Sequence, residues 1–114
     1  MRVVRFDRDG ADRITEYDSS GASSIDVAEG KGEAHAYLVY FEAGGEIGPH
    51  EAGFGQLFLA VSGGGWVAGD DGERIPLAQG EAAFIRRGEI HAKGSETGMT
   101  AFMVQVRDLA LLTE

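Results

Sequence analysis

The side chains best suited to chemistry here are three histidines, His35, His50 and His91, set among nineteen carboxylates and no cysteine. Imidazole titrates near neutral pH, so it can bind a metal or pass a proton. Without cysteine there are no disulfides, no thiolate metal sites and no thiol nucleophile. Two histidines belong to glycine-punctuated runs. Gly44 to Gly63 reads GGEIGPHEAGFGQLFLAVSG, and Gly80 to His91 reads GEAAFIRRGEIH. Each run reads as a short β-segment leading into a turn that carries its histidine. The two histidines lie far apart in the chain, so their separation alone defines no site.

The elements that must position them are strands. The 114 residues make one domain, 1–114, with an ordinary apolar fraction of 43%. Eighteen glycines against two prolines, with no G-x-y period, suit many tight turns between short strands. The fold class expected is all-β. Alternating basic and apolar residues suggest an edge strand over residues 2–6. Residues 7–33, acidic and rich in Ser and Gly, read as loop with one or two short strands laid over the barrel. AHAYLVYFE, residues 34–42, reads as a strand buried on both faces, broken by GGEIGP. Further strands are expected at Gln56–Val61, Trp66–Ala68, Glu73–Leu77, Ala82–Ile85 and Thr100–Val106. Asp70-Asp71-Gly72 forms a hairpin turn. Only Arg107 to Thr113 has helical spacing.

The formal net charge of −9 argues against nucleic-acid and membrane partners. The opening MRVVRFDRDG lacks the apolar stretch of a signal peptide. The apolar run Leu57 to Val61 is far shorter than the ~20 residues of a spanning helix. A soluble, cytoplasmic protein is expected.

The two runs resemble the paired motifs of the cupin superfamily. The first motif, G-x5-H-x-H-x(3,4)-E-x6-G, is met by Gly44, His50, Ala52, Gln56 and Gly63. The second, G-x5-P-x-G-x2-H-x3-N, is met by Gly80, Arg86, Gly88, His91 and Ser95. Every spacing fits, over roughly residues 34–106. The resemblance implies a double-stranded antiparallel β-barrel of jelly-roll type. It also implies a mononuclear divalent-metal site, Zn²⁺, Mn²⁺, Fe²⁺ or Ni²⁺, on His50, Gln56 and His91. Four residues depart from the pattern. Ala52 replaces a histidine ligand and leaves a position open to water or substrate. Gln56 replaces a glutamate, Arg86 a proline and Ser95 an asparagine, so the site has no anionic ligand.

Other residues read against that barrel as follows. Phe58 and Ala60 share the face of Gln56 by period two and should line the cavity. His35 shares a face with Tyr37, Val39 and Phe41, and could be a pocket group or an ordinary surface histidine. Glu51 faces away from His50 in a regular strand. The resemblance implies a metal-dependent enzyme of dioxygenase, lyase or isomerase type on a small organic molecule. The alternatives are a non-catalytic ligand- or metal-binding module, and a metal-free enzyme using His50 or His91 as acid or base. A homodimer is expected, with residues 2–6 pairing across its interface and the second face of 57–61 covered.

Overall fold

Two antiparallel sheets enclose one apolar core, and their turns are set by glycine. The structure is a computed structural model and describes residues 1–112. Its strands are β1 (Arg2–Arg5), β2 (Asp12–Arg13), β3 (Ser23–Ser24), β4 (Ala28–Phe41), β5 (Glu46–Glu51), β6 (Gly55–Gly63), β7 (Gly65–Ala68), β8 (Arg74–Leu77), β9 (Glu81–Ile85), β10 (Ile90–Gly94) and β11 (Met99–Leu111). The larger sheet runs β1-β9-β6-β11-β4, the smaller β5-β10-β7-β8, and β2 pairs with β3 alone. This is the expected all-β, jelly-roll class. Among the described residues, no helix is long and apolar enough to cross a membrane.

The core is shared between the sheets. Phe58, Ala60, Ala83, Met99, Ala101 and Phe41 of the larger sheet pack with Val67 and Leu77 of the smaller. Phe58 is fully buried and meets Phe41 edge-on, with ring centroids 6.1 Å apart. Such an edge-to-face pair adds a little to the large stabilisation from aromatic burial. The turn between β7 and β8 falls at 70–72 as expected, and Gly72 adopts φ +75°, open to glycine at no steric cost.

Three expectations are corrected. The helix expected over 107–113 is strand up to Leu111, with Thr113 outside the described residues. The reason is β4, which starts at Ala28 and gives Asp108 to Leu111 extended partners at Lys31 to Ala28. Tertiary pairing outweighs a weak helical period over so few residues. Secondly, β4 is not buried on both faces: it is the edge of the larger sheet, and Leu38 and Tyr40 are 56% and 71% exposed. Thirdly, GGEIGP does not simply break the chain, because Glu46–Glu51 forms β5. β1 is an edge strand as expected, paired with β9.

Candidate functional site

His50 and His91 do not sit in turns. They lie within β5 and β10 and are direct cross-strand partners. Two residues further on, Lys93 pairs with Ile47, so Gly48 and Pro49 together oppose the single residue Ala92. That is a β-bulge, which re-aims side chains on the longer strand. It brings Ile47 and His50, three apart in sequence, opposite two residues of β10 that share a face. The imidazole rings stand 4.3 Å apart, tilted by 55°. Glu51, paired with Ile90, is exposed and on the other side of β5.

The two imidazoles differ in surroundings. His50 is exposed, and its Nδ1–H donates to the Gly48 carbonyl across 2.9 Å. Since a carbonyl only accepts, the proton in this bond sits on Nδ1, and the His50 Nε2 has no hydrogen-bond partner among the described residues. His91 has no exposed surface, yet neither ring nitrogen has a hydrogen-bond partner. A buried polar group left unpaired costs stability and calls for an explanation. Burial pushes the His91 pKa down to about 4, helped by the charges of Lys93 and His50 and opposed by Glu89. The ring is therefore neutral at pH 7.

Gln56 comes from the opposite sheet, on β6, and is also buried. Its amide oxygen accepts a hydrogen bond from the Lys93 ammonium at 3.0 Å. Lys93 is 1% exposed, with Nζ 4.5 Å from the centroid of the Phe58 ring and 3.6 Å from Met103 Sδ. Burial lowers its pKa to about 8. Lys93 was not singled out in the sequence, although it stands two residues from His91. Reading His91 as a turn residue hid that alternation. With β10 recognised as a strand, the period of two puts both side chains on one face.

The remaining expected residues lie around this centre. Phe58 and Ala60 are interior. His35 shares a row with Gln105 and Gln56 but stands on the edge strand, where it bonds Glu33 at 2.7 Å and stacks on Phe54. It is a rim residue. Ala52 is 2% exposed, and its backbone is tied to Glu89 and Gly88. Ser95 has a structural part: its hydroxyl donates to the Gly64 carbonyl and accepts the Gly98 N–H. A surface cleft of about 640 Å³ is lined by Met1, Arg2, Phe84, Arg86 and Leu109–Leu111 and contains none of the expected site residues.

The orphaned nitrogens of His91 would suit a metal ion, but the rest of the set does not. Gln56 was expected to be the third ligand, and its oxygen is held by an ammonium. An ion bound ~2.1 Å from that oxygen would stand no more than ~5 Å from Lys93 Nζ. A dication and an ammonium at that distance repel by roughly 7 kcal/mol at an effective dielectric of ~20. No group of three His, Cys, Asp or Glu side chains among the described residues could offset this. The His50–Gln56–His91 set therefore does not fit a divalent ion while Lys93 holds its proton.

No protein-family model matches the chain, and no curated protein does. Solved structures match it in fold. A cupin-like protein from Thermotoga maritima superposes with a TM-score of 0.63 at 16% identity, covering 89% of this chain and 90% of that one. A cupin superfamily protein from Desulfitobacterium hafniense gives 0.61 at 15% identity, over 95% and 100%. An RmlC-like cupin from Shewanella frigidimarina gives 0.61 at 24% identity, over 66% and 67%. The chain has the cupin fold.

Proposed function

We propose that this cupin-fold chain is a binding barrel for a small organic molecule, held at the ring nitrogens of His50 and His91 without a metal ion. The observation that carries the reading is His91: a buried imidazole with two unpartnered nitrogens faces a second imidazole whose Nε2 is also free. A ligand carrying both a donor and an acceptor would satisfy the two His91 nitrogens, and the exposed His50 marks the way in.

Within this reading, a reaction would run by proton transfer. With a pKa of about 4, His91 is a weak base, and it would take a substrate proton only as Lys93 stabilises the negative charge that develops. Isomerisation and elimination ask for that pairing of base and charge stabiliser. Of the reaction classes implied by the cupin resemblance, the lyase and isomerase types suit these residues better than a dioxygenase.

The test is a nuclear magnetic resonance screen of a neutral and charged small-molecule library on the His91 and His50 ring signals, with the chelator EDTA present throughout. Saturable shifts of both rings that vanish in His91→Ala support the reading. Ligands that move neither ring, or that require added metal, overturn it.

A further inference from the structure

We propose that the ligand of this pocket is a small carboxylate, whose negative charge supplies the counter-ion that Lys93 lacks inside the barrel. This rests on the pocket reading above and names the class of molecule that fills it.

Buried ammonium groups are ordinarily paired with a carboxylate, because an isolated charge is costly away from water. Among the described residues Lys93 has no such partner. Its three contacts are an amide oxygen, a thioether sulfur and an aromatic face, all neutral. No carboxylate among the described residues is buried. The two that are half-buried are engaged elsewhere. Glu81 accepts the Ala78 N–H, and Glu89 accepts the Arg86 N–H and the N-terminal ammonium. Among the described residues, the barrel interior thus holds a positive charge, the His91 imidazole and no anion.

One rim of the barrel, next to Gln56, is rich in arginine. β9 ends at Ile85 beside Gln56, and the chain continues through Arg86 and Arg87 into β10 with its His91. Arg86, Arg87 and Arg107 line one cleft with Gly55, the residue before Gln56. Arg87 and Arg107 pair only at the surface, with Asp108 at 3.7 Å and Glu33 at 3.2 Å. The Arg86 side chain has no ion pair among the described residues. In a chain of net charge −9, three of the ten basic residues gather at this end. Asp108, which lines the same cleft, and Glu33 offset two of these charges, so this rim repels an approaching anion less than the rest of an acidic surface does.

A carboxylate fits better than phosphate. One ammonium balances one negative charge, and the imidazole N–H of His91 can donate to a carboxylate oxygen without further charge. A phosphate dianion would bring one charge more than the interior offsets.

The experiment uses the whole chain, titrated at constant ionic strength with acetate, propionate and benzoate, with their neutral amides, and with inorganic phosphate. The His91 ring and Lys93 ε-methylene signals are followed. We expect at least one acid to shift both in a saturable way and to bind ten-fold or more tightly than its amide. In Lys93→Met, checked for fold by its backbone spectrum, that affinity should fall at least ten-fold. Amides that bind as well as their acids, phosphate that binds as tightly as the best acid, or undiminished binding by Lys93→Met would each overturn the inference. Should Lys93→Met fail to fold, the comparison of acid with amide on the natural chain decides alone. Amides that shift His91 while acids do no better would leave the pocket reading standing and remove this one. Silence of His91 to every compound would remove both.

Discussion

The Lys93 ammonium and the Gln56 amide oxygen join across 3.0 Å from opposite sheets, forming a polar strut through the middle of the barrel. A charge in that position burdens the fold. Its partner is neutral, so the hydrogen bond offsets only part of the lost hydration.

Removing the strut whole should stabilise the protein. Lys93→Met together with Gln56→Leu replaces two polar groups by apolar ones in a largely apolar interior. The double variant should gain about 1–3 kcal/mol at pH 7 by urea denaturation. Lys93→Met alone should gain less, because it leaves the buried amide oxygen unpaired. A double variant less stable than the natural chain would show that the strut holds the sheets together.

The same burial sets a pH dependence. Lys93 has a folded pKa of about 8 against 10.5 in the free side chain, so the unfolded chain binds the proton more strongly. Stability from this group is therefore present above 10.5 and lost as pH falls toward about 8. His91, at about 4 against 6.5, contributes stability that is present above 6.5 and lost as pH falls toward about 4. Each shift amounts to roughly 3 kcal/mol. Urea midpoints should rise with pH from about 4 to 6.5 and again from about 8 to 10.5, and Lys93→Met should abolish the alkaline rise. An alkaline rise of equal size in that variant would contradict the assignment.

Phe58 supports both core and site, since its ring packs on Phe41 and carries the Lys93 ammonium. Phe58→Ala should cost about 3–5 kcal/mol by chemical denaturation. Phe58→Leu, which keeps volume but not the aromatic face, should cost clearly less and still weaken ligand binding. Equal losses for the two variants would show that packing is uninvolved.

The expected dimer is kept as a proposal, with its surface moved. β1 pairs with β9, whereas the exposed apolar residues Leu38, Tyr40 and Phe102 lie on β4 and β11. β4 is a long sheet edge with no charged side chain between Ala36 and Phe41. A second copy can therefore approach without like-charge repulsion and pair with it about a two-fold axis. Light scattering should report a dimer for the natural chain and a monomer for Leu38→Glu. A dimer untouched by Leu38→Glu but lost on deleting residues 1–8 would return the interface to β1.

The fold was legible in the sequence because glycine spacing and β-branched runs are local signals. Gln56 to Val61 and the turn at 70–72 could be read directly. The site was legible in half. Motif spacing brought His50 and His91 together, but treating them as turn residues concealed that β5 and β10 pair, and with it the placement of Lys93. Gln56 was found, and its partner was not. The edge position of β4 was equally hidden, since an apolar run reads the same whether a neighbouring strand or another chain covers it. Arg107 to Leu111 misled because five residues carry too little periodicity to outweigh the partner strand waiting at Lys31 to Ala28.

Metal analysis of the purified chain tests the central claim most directly. Protein prepared without added metal or chelator is measured by mass spectrometry for zinc, manganese, iron and nickel, beside a His50→Ala/His91→Ala variant. A metal-free pocket predicts far less than one equivalent of any ion in the natural chain, at a level the variant shares. One equivalent of a divalent ion per chain, lost in the variant, would contradict the account and restore His50 and His91 as metal ligands.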